Sequence, residues 1–281
     1  MKKITLSFFA LFVSIGLFAQ NQSLLWKISG NGLSKDSYVL GTIHMACKED
    51  FILKDKIKNA VNSVEALAFE VDLSKPEAMQ KIQEYMKPDP DFFKGYDPAK
   101  KKVIDSIMTS YSLPPAVFDQ ISPVGVISLL TMRSFACNGM EDIKMMEREI
   151  QALETASGKP VAELETPEFQ FELLKDIFTP DELYSYLTME GAELEIKKLV
   201  KAYFAENMED LEKLLINTSY MSAENQTKLL DTRNHAWLEK MPTMMKEKSY
   251  LFSVGAAHLL GEHGVLKLLK EKGYKLTPIL D

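Results

Sequence analysis

The stretch YVLGTIH (residues 38–44) decides how this chain is interpreted, because an apolar, strand-like run ends in a glycine that is followed three residues later by a histidine. The same order returns near the other end of the chain in YLFSVGAAH (residues 250–258). Ligands of parallel α/β sheets bind beyond the carboxyl ends of the strands. We therefore expect His44 and His258, two of the four histidines in the chain, to lie at one edge of a single sheet.

The sequence around the two motifs predicts an α/β fold. Residues 23–44 contain two strand-like runs on either side of Asn31-Gly32, which is a turn signal. The stretch KDKIKNAVNSV then has helical periodicity, and EALAFEVDL (residues 65–73) is nearly continuously apolar, as in a parallel strand that is buried on both faces. The C-terminal segment again gives a strand, a helix and a strand. We predict a central mixed, largely parallel sheet that is flanked by helices.

The middle of the chain is predicted to be a helical insertion. Residues 74–148 have a mostly helical pattern, which prolines divide into several short helices. A helix is expected over residues 140–155, followed by a stop at Gly158 and a strand in PVAELE. Residues 167–246 continue the helical period almost without interruption. We expect residues 20–281 to form one α/β domain.

The first twenty residues, MKKITLSFFALFVSIGLFAQ, have the order of a secretory signal peptide: two lysines, a short apolar run and a small residue before polar sequence. We predict a signal peptide over residues 1–19 and export to the periplasm or the cell exterior. An uncleaved N-terminal anchor is the alternative. The formal charge of -7 argues against nucleic acid or an anionic membrane as a partner, and we expect no stable membrane insertion after the signal is removed.

Cys47 and Cys137 are the two cysteines of the chain. In an oxidising compartment they are expected to form one disulfide, which would fix the segment that follows His44. A metal thiolate from the pair His44-x-x-Cys47 and two unpaired thiols are the competing interpretations.

Acidic residues follow two further strand-like runs. Glu70 and Asp72 end EALAFEVDL, and Glu163 and Glu165 end PVAELE, with both members of each pair on the same side of the strand. Two imidazoles and one or two carboxylates at one sheet edge would suit a divalent metal ion. For Asp72 and Glu163, the alternative is that they only mark the solvated exit of the chain.

Five stretches in the order YVLGTIH, EALAFEVDL, GKPVAELET, LLDTRNHAW and SVGAAHLLGEHGVLKLLKEKGYKL resemble the TraB/GumN family, which includes the Tiki proteins. Its hallmark is a pair of Gly-x-x-His motifs near the two ends of the domain, with a glutamate after the first. The resemblance covers nearly all of the chain after the predicted signal peptide. The second motif here has Gly-Ala-Ala-His in place of the commoner Gly-Ala-Gly-His.

The resemblance implies a metal centre. His44 and His258 match the two motif histidines and Glu70 matches the acidic residue of the family, so these three are the implied metal ligands. Glu165 matches a Leu-Glu-Ser/Thr element and is, with Glu70, an implied catalytic residue. Because Tiki members are described as metal-dependent proteases that favour manganese or cobalt, the resemblance implies Mn²⁺ or Co²⁺, with Zn²⁺ as the alternative, and a peptide or protein substrate.

The implied mechanism is hydrolysis by a metal-activated water. Glu70 or Glu165 would complete the coordination or accept the water's proton. Arg233 matches a family arginine and would stabilise an oxyanion or hold a substrate carboxylate. Asn234, beside it, and His263, as an accessory residue, would contribute to substrate binding. The chain has no H-E-x-x-H or Gly-x-Ser-x-Gly motif, which disfavours the common zinc-protease and serine-hydrolase routes.

Two other interpretations remain open at the level of sequence. The first is an exported binding protein that sequesters a peptide or a cofactor in the same cleft without turnover. The second is a degenerate family member that is retained for structure, against which the intact His44, Glu70 and His258 argue.

Overall fold

A mixed sheet flanked by helices organises the chain in the computed structural model, which describes residues 22–189, 191–218 and 221–281. The predicted signal peptide lies outside these ranges. The strands of the described residues are β1 (Leu25–Ser29), β2 (Ser37–Thr42), β3 (Ala46–Cys47), β4 (Ala66–Phe69), β5 (Ile143–Lys144), β6 (Val161–Glu163), β7 (Tyr250–Gly255) and β8 (Lys275–Pro278).

The main sheet has the strand order β6-β4-β7-β2-β1-β8. Strands β6, β4, β7 and β2 are parallel to one another, whereas β1 pairs antiparallel with both β2 and β8. Every residue of β4 and β7 is buried, which explains their continuous apolar sequence: helices cover both faces of a central parallel strand. The prediction of a mixed, largely parallel sheet flanked by helices is confirmed.

The register of β2 and β7 brings the two glycine-histidine motifs together. Thr42 at the end of β2 lies opposite Gly255 at the end of β7, and Gly41 lies opposite Val254. Because the two strands are parallel neighbours, the segments that follow them leave the sheet at the same edge. The loop after β4 leaves at this edge too, since β4 is the other parallel neighbour of β7.

The helices frequently begin at a proline. Asp97, Ser122, Thr166 and Thr179 each precede a proline, and the side chain of each accepts a hydrogen bond from a main-chain N–H of the first helical turn. The helices of the described residues are α1 (Asp55–Ser63), α2 (Pro76–Tyr85), α3 (Pro98–Ser110), α4 (Pro123–Ser134), α5 (Met146–Ser157), α6 (Pro167–Ile177), α7 (Pro180–Thr188), α8 (Ala192–Phe204), α9 (Met208–Leu215), α10 (Ala223–Gln226), α11 (Thr232–Glu247) and α12 (Val265–Glu271).

The helical middle of the chain has a core of its own. Ile104 and Met108 of α3, Leu130 of α4 and Leu183 of α7 are fully buried or nearly so and belong to one apolar cluster, separate from the cluster around the sheet. Short 3₁₀ turns connect these helices, and a π-helical turn, Thr227–Asp231, leads directly into α11. Such turns are frequent near functional sites, and α11 carries Arg233.

The helix predicted over residues 140–155 begins later, at Met146. In its expected first part, Met140–Asp142 form a 3₁₀ turn and Ile143–Lys144 form β5, which pairs antiparallel with β3 (Ala46–Cys47). A disulfide joins Cys47 to Cys137, with the two Cα atoms 5.4 Å apart, so the disulfide prediction is confirmed and the metal-thiolate alternative is wrong. A cross-link across so many residues typically stabilises a domain by about 2–4 kcal/mol. Here it also fixes the segment after His44 against the segment before α5.

None of the described helices combines the length and the apolar character that crossing a membrane requires.

Candidate functional site

A cleft of about 380 Å³ lies at the carboxyl edge of β2, β4 and β7. His44 follows β2 and Glu70 follows β4, and both line this cleft. Methionine, leucine, isoleucine, valine and phenylalanine side chains make up half of its lining residues. The cleft therefore combines a polar end with an apolar wall, as ligand sites commonly do.

His44 is held by a carboxylate that the sequence did not single out. Its Nδ1 lies 2.9 Å from Oε1 of Glu147, which stands at the start of α5, and the same oxygen accepts a hydrogen bond from Thr42 Oγ1 at 2.8 Å. Because a carboxylate only accepts, Nδ1 of His44 carries the proton and donates it. Nε2 of the neutral ring is then the nitrogen with a free lone pair.

The charge around His44 favours the protonated ring. Loss of water contact acts to lower the pKa of His44, but the Glu147 carboxylate, with a smaller contribution from Glu70, raises it to about 9. The side chain is 63% exposed, and screening by water weakens this shift. The pKa of Glu147 is lowered: burial acts to raise it, and the interaction with His44 outweighs that effect. A cation is thus favoured at the position of the His44 ring.

Glu70 accepts hydrogen bonds from three directions. Gly255 N–H donates to its Oε1 at 2.7 Å, while Arg233 Nη2 and Gln170 Nε2 donate to its Oε2 at 2.5 and 3.1 Å. Burial acts to raise the pKa of Glu70, but His258 and Arg233 lower it to about 2. Because His258 is itself neutral near pH 7, the charges that act there are those of Arg233 and, to a smaller extent, His44. Glu70 is consequently a fixed, ionised carboxylate.

Arg233, in the first turn of α11, uses all five of its N–H donors. Nε and Nη2 bind the two oxygens of Glu165 at 3.1 and 2.5 Å, and Nη2 also binds Glu70. Nη1 donates to the carbonyl oxygen of Leu229 at 2.8 Å and lies 3.1 Å from Nε2 of His258. This bidentate geometry is the strong form of an arginine–carboxylate pair. In this arrangement no donor of Arg233 is left for a substrate oxygen.

Glu165 is buried behind this arginine. Its oxygens also accept hydrogen bonds from Gln170 Nε2 at 3.0 Å and from Trp237 Nε1 at 3.2 Å. Glu165 does not line the cleft. Its place in the structure suits orientation of Arg233, and its predicted catalytic role stays a prediction.

His258 has partners for both ring nitrogens. Nδ1 lies 2.6 Å from Oδ1 of Asn234, and Nε2 lies 3.1 Å from Arg233 Nη1 and 3.8 Å from Oε1 of Glu70. Burial, which leaves the side chain only 4% exposed, lowers its pKa to about 3. The ring is therefore neutral, with Nδ1–H donating to Asn234 and Nε2 accepting from Arg233. It also packs on Trp237, with ring centroids 4.3 Å apart.

The glycines of the two motifs make room for different things. A Cβ atom at Gly41 would lie 2.7 Å from Leu259 Cδ1 and 3.1 Å from the Cα atom of Ala256, so this glycine lets the second motif pack on the first. A Cβ atom at Gly255 would lie 3.4 Å from both His44 Nε2 and Glu70 Oε1. The free nitrogen of His44 and one oxygen of Glu70 therefore face the same small space beside Gly255.

The remaining predicted residues lie around this centre. Asp72 accepts hydrogen bonds from the N–H and hydroxyl groups of Ser74, and Glu163 pairs with Lys75 at 3.1 Å. Asn234 Nδ2 donates to the carbonyl oxygen of His263 at 2.9 Å. The His263 ring is exposed and lies near His235 instead of lining the cleft. The substrate contacts predicted for Asn234 and His263 stay predictions.

Sequence reasoning missed Glu147, Gln170 and Ser253, all of which line the cleft. Glu147 lies between Met146 and Arg148 in an apparently ordinary amphipathic helix. Its position at the helix N-terminus, where carboxylates are favourable, was the one available signal. That signal does not name a partner 103 residues away.

The arrangement partly fits a divalent metal ion. His44 Nε2 and Glu70 Oε1 point to one space, and the Glu147 carboxylate behind His44 is the usual support of a metal-binding imidazole. In the described part of the chain, however, no three histidine, cysteine, aspartate or glutamate side chains form a metal-binding group. An ion here would have two protein donors, His44 Nε2 and Glu70 Oε1, and would need water or substrate for its other positions. The predicted preference for Mn²⁺ or Co²⁺ stays a prediction.

These features define an α/β protein with a buried arginine–carboxylate–histidine network beneath a half-apolar cleft. The model of the TraB/PrgY/gumN family matches residues 24–278. The chain belongs to this family, as the resemblance of its motifs implied. Comparison with curated proteins and with solved structures found no match.

Proposed function

We propose that the protein is an exported, metal-dependent hydrolase that cleaves peptide bonds in a peptide or protein substrate. The observation that carries this proposal is the convergence of His44 Nε2 and Glu70 Oε1 on the space beside Gly255, at the polar end of the cleft. Export is supported by the signal-like first residues and by the disulfide, which indicates an oxidising compartment.

His44 and Glu70 are the residues that would hold the metal ion. When bound there, a divalent ion supplies a water whose pKa is lowered from about 16 towards 7. Glu147 keeps the proton of His44 on Nδ1, so that Nε2 presents its lone pair to the cleft. The two carboxylates near His44 offset the charge of the cation.

Arg233 and His258 do not hold the metal ion in this proposal but orient the residues that do. Arg233 and Gln170 orient the carboxylate of Glu70, and Glu165 orients Arg233. His258 accepts from Arg233 and is in turn fixed by Asn234. In this role His258 is a positioning residue, and coordination of a metal by its Nε2 would first require the Arg233 contact to break.

A peptide substrate is supported by the composition of the cleft. Its apolar wall includes Met45, Met79 and Ile82, which suit a side chain, while Gln170 and Glu147 suit polar main-chain groups.

The second candidate is a binding protein without turnover. It is favoured by one observation: all five Arg233 donors are engaged within the protein, so this side chain offers nothing to a developing oxyanion.

A metal titration separates the two candidates. Protein beginning at Gln20 is stripped of metal and incubated with a peptide library, and fragments are followed by mass spectrometry after addition of Mn²⁺, Co²⁺ or Zn²⁺. We expect cleavage that depends on Mn²⁺ or Co²⁺ and is lost in His44→Ala. The exposed His235, which does not line the cleft, offers a matched control, because His235→Ala should retain activity. Intact peptides under all three metals, with folded protein that retains bound peptide, would establish the binding protein instead.

A further inference from the structure

Two buried side-chain oxygens in the described residues make no hydrogen bond, and both belong to the wall of the cleft. They are Oε2 of Glu147 and Oγ of Ser253. Leaving a buried polar atom unpaired is destabilising, so native proteins rarely do so without a reason. The coincidence of both atoms in one cleft points to a ligand that supplies their partners.

Ser253 is placed by the sheet beneath the site. It lies on β7, opposite Leu40 of β2 and Phe69 of β4, and is only 1% exposed. Because side chains two residues apart on a strand point to the same face, Ser253 shares the face of Gly255. Gly255 faces His44 and Glu70 on that side. Ser253 is thus one step further into the cleft than the proposed metal-binding pair.

The hydrogen-bonding capacity of the two oxygens indicates which chemical group of a ligand could bind them. The carboxylate of Glu147 already accepts hydrogen bonds from Thr42 Oγ1 and His44 Nδ1 through Oε1, and its Oε2 is likewise an acceptor. Ser253 can accept or donate. An ionised phosphate or carboxylate has no hydrogen to donate to Oε2 of Glu147, whereas an amide group offers both an N–H and a carbonyl oxygen. The apolar side chains of Leu73, Met79 and Ile82 in the same cleft fit the side chain that accompanies a peptide amide.

We infer that Ser253, with the second oxygen of Glu147, forms a subsite for a main-chain amide of the substrate next to the bond that is cleaved. The identification of the ligand as a peptide rests on the proposed function. Both oxygens are closed to bulk water, so a peptide reaches them after side chains of the cleft shift. The methionines at positions 45, 79 and 145 line the cleft, and such unbranched side chains rearrange readily.

The test compares Ser253→Ala with Ser37→Ala. Both serines are strand residues with at most 1% exposure, but Ser37 Oγ accepts a hydrogen bond from Tyr250 N–H at 3.1 Å. Ser37→Ala leaves a buried N–H unpaired and should lower Tm by about 2–6 °C. Ser253→Ala removes an oxygen that makes no hydrogen bond in the fold, so Tm should stay the same or rise.

Peptide binding should show the opposite pattern. The probe is a mixture of blocked hexapeptides with one large apolar residue each, and the dissociation constant of the tightest binder is measured in the His44→Ala background to prevent turnover. We expect Ser253→Ala to raise this constant about tenfold, the effect of one lost buried hydrogen bond, and Ser37→Ala to leave it unchanged.

N-methylated analogues of that peptide identify the group that is bound. In the His44→Ala background, methylation of one amide should weaken binding about tenfold. The same methylation should have no further effect once Ser253→Ala is added, because the contact that it removes is already lost; comparing the four dissociation constants is a double-mutant cycle for this contact. Each of three results would overturn the inference. Ser253→Ala could lower Tm as much as Ser37→Ala does, or it could leave the dissociation constant unchanged. Methylation could also weaken binding equally with and without Ser253→Ala.

The outcome is distinguishable from failure of the proposed function. Peptides that bind with the expected dependence on Ser253 but are never cleaved would retain the subsite and reject the hydrolase. Cleavage that proceeds with no effect of Ser253→Ala on affinity would retain the hydrolase and reject the subsite. If no peptide is bound or cleaved, both are rejected.

Discussion

The two Gly-x-x-His motifs occupy neighbouring strand ends, yet their histidines are in opposite states. His44 is largely exposed, turns its Nε2 to the space beside Gly255 and has a pKa raised to about 9, whereas His258 is buried, has two partners and has a pKa lowered to about 3. Both lie close to Glu70. The difference arises from the second neighbour: a carboxylate, Glu147, beside His44, and a guanidinium, Arg233, beside His258. The same motif therefore places one imidazole at the open cleft and another in a buried hydrogen-bond network.

The largest expected effect comes from replacing the exposed member of the pair. His44→Ala should lower kcat/KM for peptide cleavage by about 10³-fold or more, because the proposed water would lose its activating group. Its free energy of unfolding should change by less than about 1 kcal/mol, since the side chain is mostly solvated. Steady-state kinetics and urea unfolding measure the two quantities. A variant that keeps a tenth of the activity would remove His44 from the mechanism.

The buried member should behave in the reverse manner. We expect His258→Ala to lower the free energy of unfolding by about 2–4 kcal/mol, because Asn234 and Arg233 each lose a partner and a cavity opens against Trp237. His258→Gln retains an acceptor for Arg233 and should lose less. Urea unfolding of both variants checks this order. If His258→Ala is as stable as the parent protein but inactive, His258 acts on the ligand directly and the two motifs share one role.

The glycines of the two motifs, Gly41 and Gly255, can be compared in the same way as the histidines. Gly41→Ala should destabilise the protein by about 1–3 kcal/mol, since the added methyl group meets the main chain of Ala256 and the fold must shift. Gly255→Ala makes only ordinary contacts, so its stability should change by less than about 1 kcal/mol. Its methyl group would stand between His44 and Glu70, however, and should reduce Mn²⁺-dependent cleavage at least tenfold. Full activity in Gly255→Ala would show that the space beside Gly255 is not where water is activated.

Much of this comparison was accessible from sequence because it depends on strand order. The apolar runs before each histidine and before Glu70 predict parallel strands, and parallel strands deliver their carboxyl ends to one edge. The family resemblance added Arg233 and Asn234, which no periodicity marks as special. Asn31-Gly32 likewise predicted the turn between β1 and β2, where both residues have positive φ.

What sequence could not give is the partner of each histidine. The contact between His44 and Glu147 depends on α5 beginning at Met146, which in turn depends on the pairing of β5 with β3 beside the disulfide. Helical periodicity extends back to Met140 and hides that boundary. For His258, the motif alone predicts the strand end but not that Arg233 would engage the ring. Side-chain contacts across such distances follow from packing, and local pattern does not encode them.

The smallest expected effect is the pH dependence of stability in the metal-free protein, to which the two histidines contribute in opposite directions. The folded-state pKa of His258 is lowered from 6.5 to about 3, so the unfolded chain binds a proton first and stability falls as the pH drops below 6.5. The pKa of His44 is raised from 6.5 to about 9, so its contribution is complete below 6.5 and is lost as the pH rises towards 9. Water around His44 limits the alkaline loss to less than about 1 kcal/mol.

Variants show which histidine causes the loss of stability at acid pH (the acid limb) and which causes the loss at alkaline pH (the alkaline limb). Thermal unfolding is measured from pH 5 to 6.5, above the range in which most carboxyl groups titrate, and from pH 7 to 9. His258→Gln should flatten only the acid limb, and His44→Gln only the alkaline limb. An acid limb that persists in His258→Gln would mean that the imidazole is not held neutral against Arg233. The opposite charge states of the two histidines, and with them the division of labour between the two motifs, would then have to be abandoned.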